Sequence, residues 1–218
     1  MTRRFDLIAF DWDGTLFDST RLIARCIQAA CADVGTTVPS DRDASYVIGL
    51  GLADALRHAA PELAHDRYGE LGERYRHHYL ASQNDIVLFH GTLEMLGALK
   101  ARNHSLAVAT GKNRRGLDDA LRRSVLGGYF DATRTADETA SKPDPLMLHE
   151  LMREIGCAAD RTLMIGDTSH DLQLAANAGC ASVAVSFGAH SHEEFARFAP
   201  LHVAHSTADL ADWLARHA

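Results

Sequence analysis

No pair of cysteines in this chain has the spacing of a metal or redox site. Its four cysteines are Cys26, Cys31, Cys157 and Cys180, with no Cys-x-x-Cys among them. That argues against a zinc site and a disulfide framework, and makes a reducing, cytoplasmic setting the expectation. No uncharged apolar run approaches the length of a bilayer span. The opening Met1-Thr2-Arg3-Arg4-Phe5-Asp6 is broken by an acid right after its arginines, so no signal peptide is expected. Positive charge is not in excess: the formal net charge of -7 argues against nucleic acid or an anionic membrane as partner. Internal repeats, low-complexity tracts and disordered tails are also missing from the pattern.

The 218 residues, 46% of them hydrophobic, suffice for one large domain or a domain with a smaller insert. The thirteen histidines include His77-His78 and His190-Ser191-His192, but no helical His-x-x-x-His pair, so surface positions are expected for them.

The stretch that organises the chain is Leu7-Ile8-Ala9-Phe10-Asp11-Trp12-Asp13-Gly14-Thr15. Leu7 to Phe10 reads as a strand buried on both faces, as in parallel sheets. Asp11 falls at its carboxyl end, and Asp13 points to the same side if the chain stays extended. Gly14 allows a turn, and Thr15 can tie down freed backbone groups. Two carboxylates at a strand end repel each other and need a cation, a shared proton or a chemical task. The alternative is an acidic turn with no further role.

From residue 18 the period becomes helical. Leu22, Ile23, Cys26, Ile27 and Ala30 share a face, with Asp18 or Ser19 as cap and Gly35 as the end. Residues 36–41 read as a polar connector. A short helix through Ala55, Leu56 and Ala59 stops at Pro61. A longer one carries Tyr68, Leu71, Tyr75 and Tyr79 on one side, a stripe assigned to internal packing rather than a ligand wall. No strand is expected between about 17 and 88. Beyond Leu93, helices alternate with strands near 106–109, 132–135, 163–165, 181–185 and 201–204, before a closing helix through Leu210, Trp213 and Leu214. The expected fold is α/β: a doubly wound parallel sheet formed by residues 1–16 and 89–218, with a small helical cap at 17–88. Such sheets bind ligands beyond the carboxyl ends of their strands, so polar residues should cluster there.

They do. Thr110-Gly111-Lys112 follows one strand, where a hydroxyl and a backbone N–H suit a phosphate oxygen. Lys142 stands before Pro143-Asp144-Pro145, with restricted reach and a helix capped by Asp144 to follow. Gly166-Asp167-Thr168-Ser169-His170-Asp171 follows another buried strand. Asp171 there is either a site residue or only a helix cap.

In order, Asp-x-Asp-x-Thr, apolar-Thr, Lys-Pro and Gly-Asp-x-x-x-Asp resemble the haloacid dehalogenase superfamily, over essentially the whole chain, and within it the phosphoglycolate phosphatase-like group. The resemblance implies a phosphatase in which Asp11 is the nucleophile and Asp13 the general acid and then base. Thr110 and the Gly111 N–H would hold the phosphoryl oxygens, and Lys142 would neutralise charge on them and on Asp11. It further implies Mg²⁺ bound by Asp11, the Asp13 backbone carbonyl and Asp167, with Asp171 acting behind them or through water. The expected partner is a small phosphorylated metabolite, phosphoglycolate first, for a monomer or homodimer. Dehalogenases of this superfamily lack an acid at the position of Asp13. Its sugar-phosphate mutases carry a cap arginine where this chain has uncharged Gly49-Leu50-Gly51-Leu52. A phosphomutase or inorganic pyrophosphatase, an aspartyl-phosphorylated regulatory module and a catalytically dead binding protein are the rival readings. The separate Asp13 and the survival of all four motifs argue against the last two. The chain departs from the group at Gly111, where asparagine is common, and at Phe89-His90-Gly91, where Tyr-Pro-Gly is common. His90 is assigned to packing.

Overall fold

Leu7, Ile8, Ala9 and Phe10 have no side chain that prefers water, and in a computed structural model of the protein all four are fully buried as strand β1 (Leu7–Phe10). The structure describes residues 4–218. β1 pairs in parallel with β4 (Ser105–Thr110) on one side and β6 (Thr162–Gly166) on the other. β5 (Ala132–Thr135) extends the first side; β7 (Ala181–Val185) and the two-residue β8 (Val203–Ala204) extend the second. The order β5-β4-β1-β6-β7-β8 puts β1 in the middle, so the chain leaves it in both directions. The carboxyl end of β1 is therefore the place for a ligand crevice.

The period of two sorts the sheet's side chains onto two apolar layers. Ile8, Phe10, Leu106, Val108, Leu163 and Ile165 form one layer with α5 (Thr92–Ala101) and α9 (Thr207–His217). Leu7, Ala9, Ala107 and Met164 form the other with α7 (Leu146–Ile155) and α8 (Ser169–Asn177). The small alanines let α7 and α8 approach closely. α6 (Arg114–Arg123) links β4 to β5.

Between β1 and β4 the chain builds a separate helical cluster from α1 (Thr20–Asp33), α2 (Asp41–Tyr46), α3 (Leu52–Ala59) and α4 (Tyr68–Ser82). Ile23, Ile27, Ala30, Leu56 and Leu71 are among its buried side chains. At its entry and exit, β2 (Phe17–Asp18) pairs antiparallel with β3 (Val87–Leu88). No strand was expected there, and two residues are too few to show a period. α2 begins at the end of the expected 36–41 connector, in a stretch for which no helix is expected. It is capped by Ser40, whose hydroxyl accepts the Asp43 N–H at 3.2 Å. Leu201 lies outside the last strand and is 42% exposed; α6 ends before Val125, which is exposed.

Candidate functional site

Asp11, the first residue after β1, meets Lys142 from the loop between β5 and α7: Lys142 Nζ donates to Asp11 Oδ1 at 2.6 Å. The same ammonium lies 2.6 Å from Asp171 Oδ1, as an ion contact without the alignment of a hydrogen bond. Asp171 also keeps the capping role: its Oδ2 accepts from the Thr168 N–H and hydroxyl at the start of α8. Asp167, one residue past β6, is fully buried. Its Oδ1 accepts the Thr15 hydroxyl at 2.9 Å and its Oδ2 the Ala189 N–H at 2.7 Å. Thr15 thus holds a carboxylate rather than backbone. Gly14, at φ +79°, passes so close to Asp167 that a Cβ there would collide with the carboxylate.

Carboxylate oxygens of Asp11, Asp167 and Asp171 lie within 4.8 Å of one another, all buried. Burial pushes the Asp11 carboxyl up to about 7; Lys142 pulls against this, while Asp171 and Asp13 add to it. Asp167 is raised well above the usual carboxylate range by burial and by the charges of Asp11 and Asp171. Burial works against the Lys142 ammonium, yet Asp11 and Asp171 hold it charged above its ordinary range. Three acids face one lysine, and Asp11 Oδ2 is buried with no hydrogen-bond partner. That donor set, all hard oxygen and short of positive charge, fits a divalent cation of the Mg²⁺ kind.

Asp13 takes part in a second group. Its Oδ1 accepts the Ser19 hydroxyl at 2.7 Å, and its Oδ2 pairs with Lys112 Nζ at 2.8 Å. Ser19 sits at the start of α1 but makes no cap hydrogen bond; its hydroxyl turns to Asp13 instead. Lys112 Nζ also donates to Tyr79 Oη on α4 at 3.0 Å. The Thr110 hydroxyl, at the end of β4, accepts the Lys112 N–H at 3.2 Å. Gly111 lies under the loop before α3, where a Cβ would run into the carbonyl oxygens of Gly49 and Leu50.

Asp11, Asp13, Thr110, Gly111 and Lys112 open onto a cavity of about 430 Å³ whose other walls come from α1, α3, α4 and α6. Tyr75 and Tyr79 line it, so the aromatic stripe is only partly internal packing. Leu71 is buried in the helical cluster and Tyr68 donates to Ala60 O, while Tyr75 and Tyr79 pack against that cluster and also face the cavity. Another cavity, of about 440 Å³, lies at Asp41, Tyr46, His190 and Glu194 and includes none of these acids.

His190 is not a surface histidine. It is 5% exposed, accepts the Ser169 N–H at Nδ1 and places Nε2 3.0 Å from Tyr46 O, where Nε2 of His170 also arrives at 2.8 Å. His77 and His192 are exposed as expected, and His78 is half-buried against Asp33. His90 is exposed rather than packed. Ser19, Lys112 and Tyr79 were the site neighbours that sequence reasoning passed over. The available signal was a lysine just past the end of β4.

The haloacid dehalogenase-like hydrolase family model matches residues 8–185, from β1 to the end of β7. The chain belongs to that family. It is 31% identical to a phosphoglycolate phosphatase of Vibrio vulnificus strain YJ016 over 225 residues, 94% of each chain. It is 30% identical to the pyrophosphatase PpaX of Halalkalibacterium halodurans over 210 residues, again 94% of each. A crystal structure described as a predicted phosphoglycolate phosphatase from Haemophilus somnus superposes with a TM-score of 0.86 at 28% identity, covering 97% of this chain and 99% of that one. The chain is a haloacid dehalogenase-type phosphatase with the parallel α/β fold of that family. None of its helices among the described residues is long and apolar enough to cross a membrane.

Proposed function

We propose that this phosphatase hydrolyses a small organic phosphate monoester through an aspartyl phosphate, with Mg²⁺ as cofactor and phosphoglycolate as the reference substrate. The observation that carries the reading is Asp11: one oxygen held by Lys142, the other buried and unpartnered, on a residue that lines the cavity. In the first step Asp11 Oδ2 attacks phosphorus and the ester P–O bond breaks. Its electron pair goes to the departing oxygen, which takes a proton from Asp13. In the second step water attacks the phosphoryl group and passes a proton to Asp13. The bond to Asp11 breaks, releasing inorganic phosphate. Thr110 and the Gly111 N–H steady the phosphoryl oxygens, and Lys142 offsets their charge. Asp11, Asp167, Asp171 and the Asp13 carbonyl would hold the cation, which supplies charge neutralisation for an incoming dianion.

Asp13 is set apart from Asp11 by its own partners, Ser19 and Lys112, which supports a distinct task for it. Residues 17–88 act in this reading as a cap, and residues 1–16 with 89–218 as the catalytic core. The uncharged Gly49–Leu52 loop supports hydrolysis over mutase action. Pyrophosphate is the second substrate to assay, given the PpaX relative. The test is turnover of a phosphomonoester panel with Mg²⁺, with EDTA and with Asp11→Asn. Turnover should vanish in the last two. Undiminished activity under chelation would remove the cation from the reading, and a fully active Asp11→Asn would remove the nucleophile.

A further inference from the structure

The cavity is roomier than glycolate needs, and much of its wall beyond Asp13 is apolar. Phosphoglycolate has nine heavy atoms, which fill about 270 Å³ even when each is granted a water's share of liquid volume, about 30 Å³. The cavity, phosphoryl end included, is about 430 Å³. Beyond Asp13 its walls are Ile23 and Ile27 of α1, Ile48 and Leu52 around α3, and Tyr75 and Tyr79 of α4. Among the described residues one enclosed cation lines this end, Lys112, held by Asp13 at 2.8 Å and by the Tyr79 hydroxyl. A carboxylate on the leaving group would lie against the apolar walls and lose its hydration there. The other lining cations, Arg76 and Arg115, are exposed, where solvent screens them.

We infer that the leaving group selected by this pocket is a neutral, largely apolar alcohol bulkier than glycolate, packed between α1 and α4 with its ester oxygen at Asp13. This rests on the phosphatase reading above for which end holds the phosphate. Tyr79 and Lys112 stand beside Asp13, so Lys112 can donate, and the Tyr79 hydroxyl donate or accept, one hydrogen bond to the first atoms after the ester oxygen; the remaining contacts are dispersion and burial.

The experiment compares 2-phenylethyl phosphate with phosphoglycolate under identical Mg²⁺ conditions. The expected result is a kcat/KM at least tenfold higher for the phenylethyl ester. Leu52→Arg, at a half-buried wall position, brings a cation to the wall and should shift that ratio at least tenfold toward phosphoglycolate; Leu52→Lys, which brings the same charge on a more flexible side chain, is used if the arginine variant does not fold. Equal or better use of phosphoglycolate by the unaltered protein overturns the inference and leaves the phosphatase reading standing. Turnover of no ester at all sinks the phosphatase reading. In that event calorimetric binding of the same two esters decides the inference by itself: tighter or equal binding of phosphoglycolate overturns it, and tighter binding of the phenylethyl ester supports it.

Discussion

Magnesium should stabilise this protein far more at pH 8 than at pH 5.5. Asp11 sits at about 7 in the folded chain, against 3.8 for its ordinary carboxyl, chiefly because it is buried. A folded value above the unfolded one means that the metal-free fold is favoured below the unfolded value and loses that advantage as pH rises toward 7. Three pH units at about 1.36 kcal/mol each put the full loss at about 4 kcal/mol, and Asp167 shifts in the same direction. A divalent cation in this cluster needs Asp11 ionised. At pH 8 Asp11 is ionised and little proton competition arises there. At pH 5.5 binding must displace one, at a cost of about 2 kcal/mol. Metal at one hundred times its dissociation constant adds about 2.7 kcal/mol. For a chain of this size that is a rise in Tm of roughly 5–11 °C at pH 8, shrinking toward zero at pH 5.5. The assay is thermal unfolding with EDTA and with Mg²⁺ at each pH. Asp33, Asp131, Glu138 and Asp209 are lowered by their partners, and His170 and His190 are lowered by burial, so acid destabilises the fold elsewhere. Subtracting the EDTA melt at the same pH removes those contributions. An increment at pH 5.5 equal to or larger than that at pH 8 would refute the reasoning.

Lys142→Met leaves three buried carboxylates without their cation and should cost about 3–5 kcal/mol, read as a fall in the denaturation midpoint; an unchanged midpoint would show that the Lys142 contacts carry no stability. Asp13→Asn removes the proposed proton donor for the leaving group and should lower kcat on an alkyl phosphate by about 10²–10⁴-fold; it also leaves the Lys112 ammonium without its counter-ion, so the melting temperature should fall as well, and an unchanged kcat would remove Asp13 from the mechanism. Gly111→Ala forces a methyl group into the Gly49 and Leu50 carbonyls. It should push the helical insert off the core, raising KM and speeding proteolytic cleavage between residues 17 and 88; unchanged values of both would show that the contact is not needed.

The strand ends were legible because each motif is local: a buried run, then a polar residue within one or two positions. Asp11, Thr110 and Asp167 could be placed that way, since a parallel sheet forces its carboxyl ends together; Lys142 and Asp171, further along the loops after β5 and β6, were legible from the order of the motifs instead. Ser19 was hidden by its own plausibility as a helix cap; only the fold shows its hydroxyl turned to Asp13. Lys112 and Tyr79 meet across the boundary between core and insert, and no periodicity within either segment reports that contact. The same holds for His190, buried because the Tyr46 ring stacks on it from the insert, with ring centroids 5.2 Å apart. Contacts made by docking two separately encoded units leave no trace in the pattern of either one.

The two acids after β1 differ less in position than in charge environment. Asp13 is balanced by Lys112 alone. Asp11 shares one ammonium with Asp171, beside Asp167 with no cation of its own, so that group is two charges negative. A phosphate dianion approaching it would meet repulsion of about 4 kcal/mol per charge pair at 4 Å and an effective dielectric of 20. A monovalent ion would leave one negative charge in place, while a divalent ion cancels the excess. The balanced acid is thereby free of the metal's charge requirement. In the proposed mechanism the unbalanced one faces phosphorus as nucleophile only with the cation in place. One strand end thus carries two carboxylates in different charge environments, because Asp13 has a lysine to itself and Asp11 shares its own with Asp171.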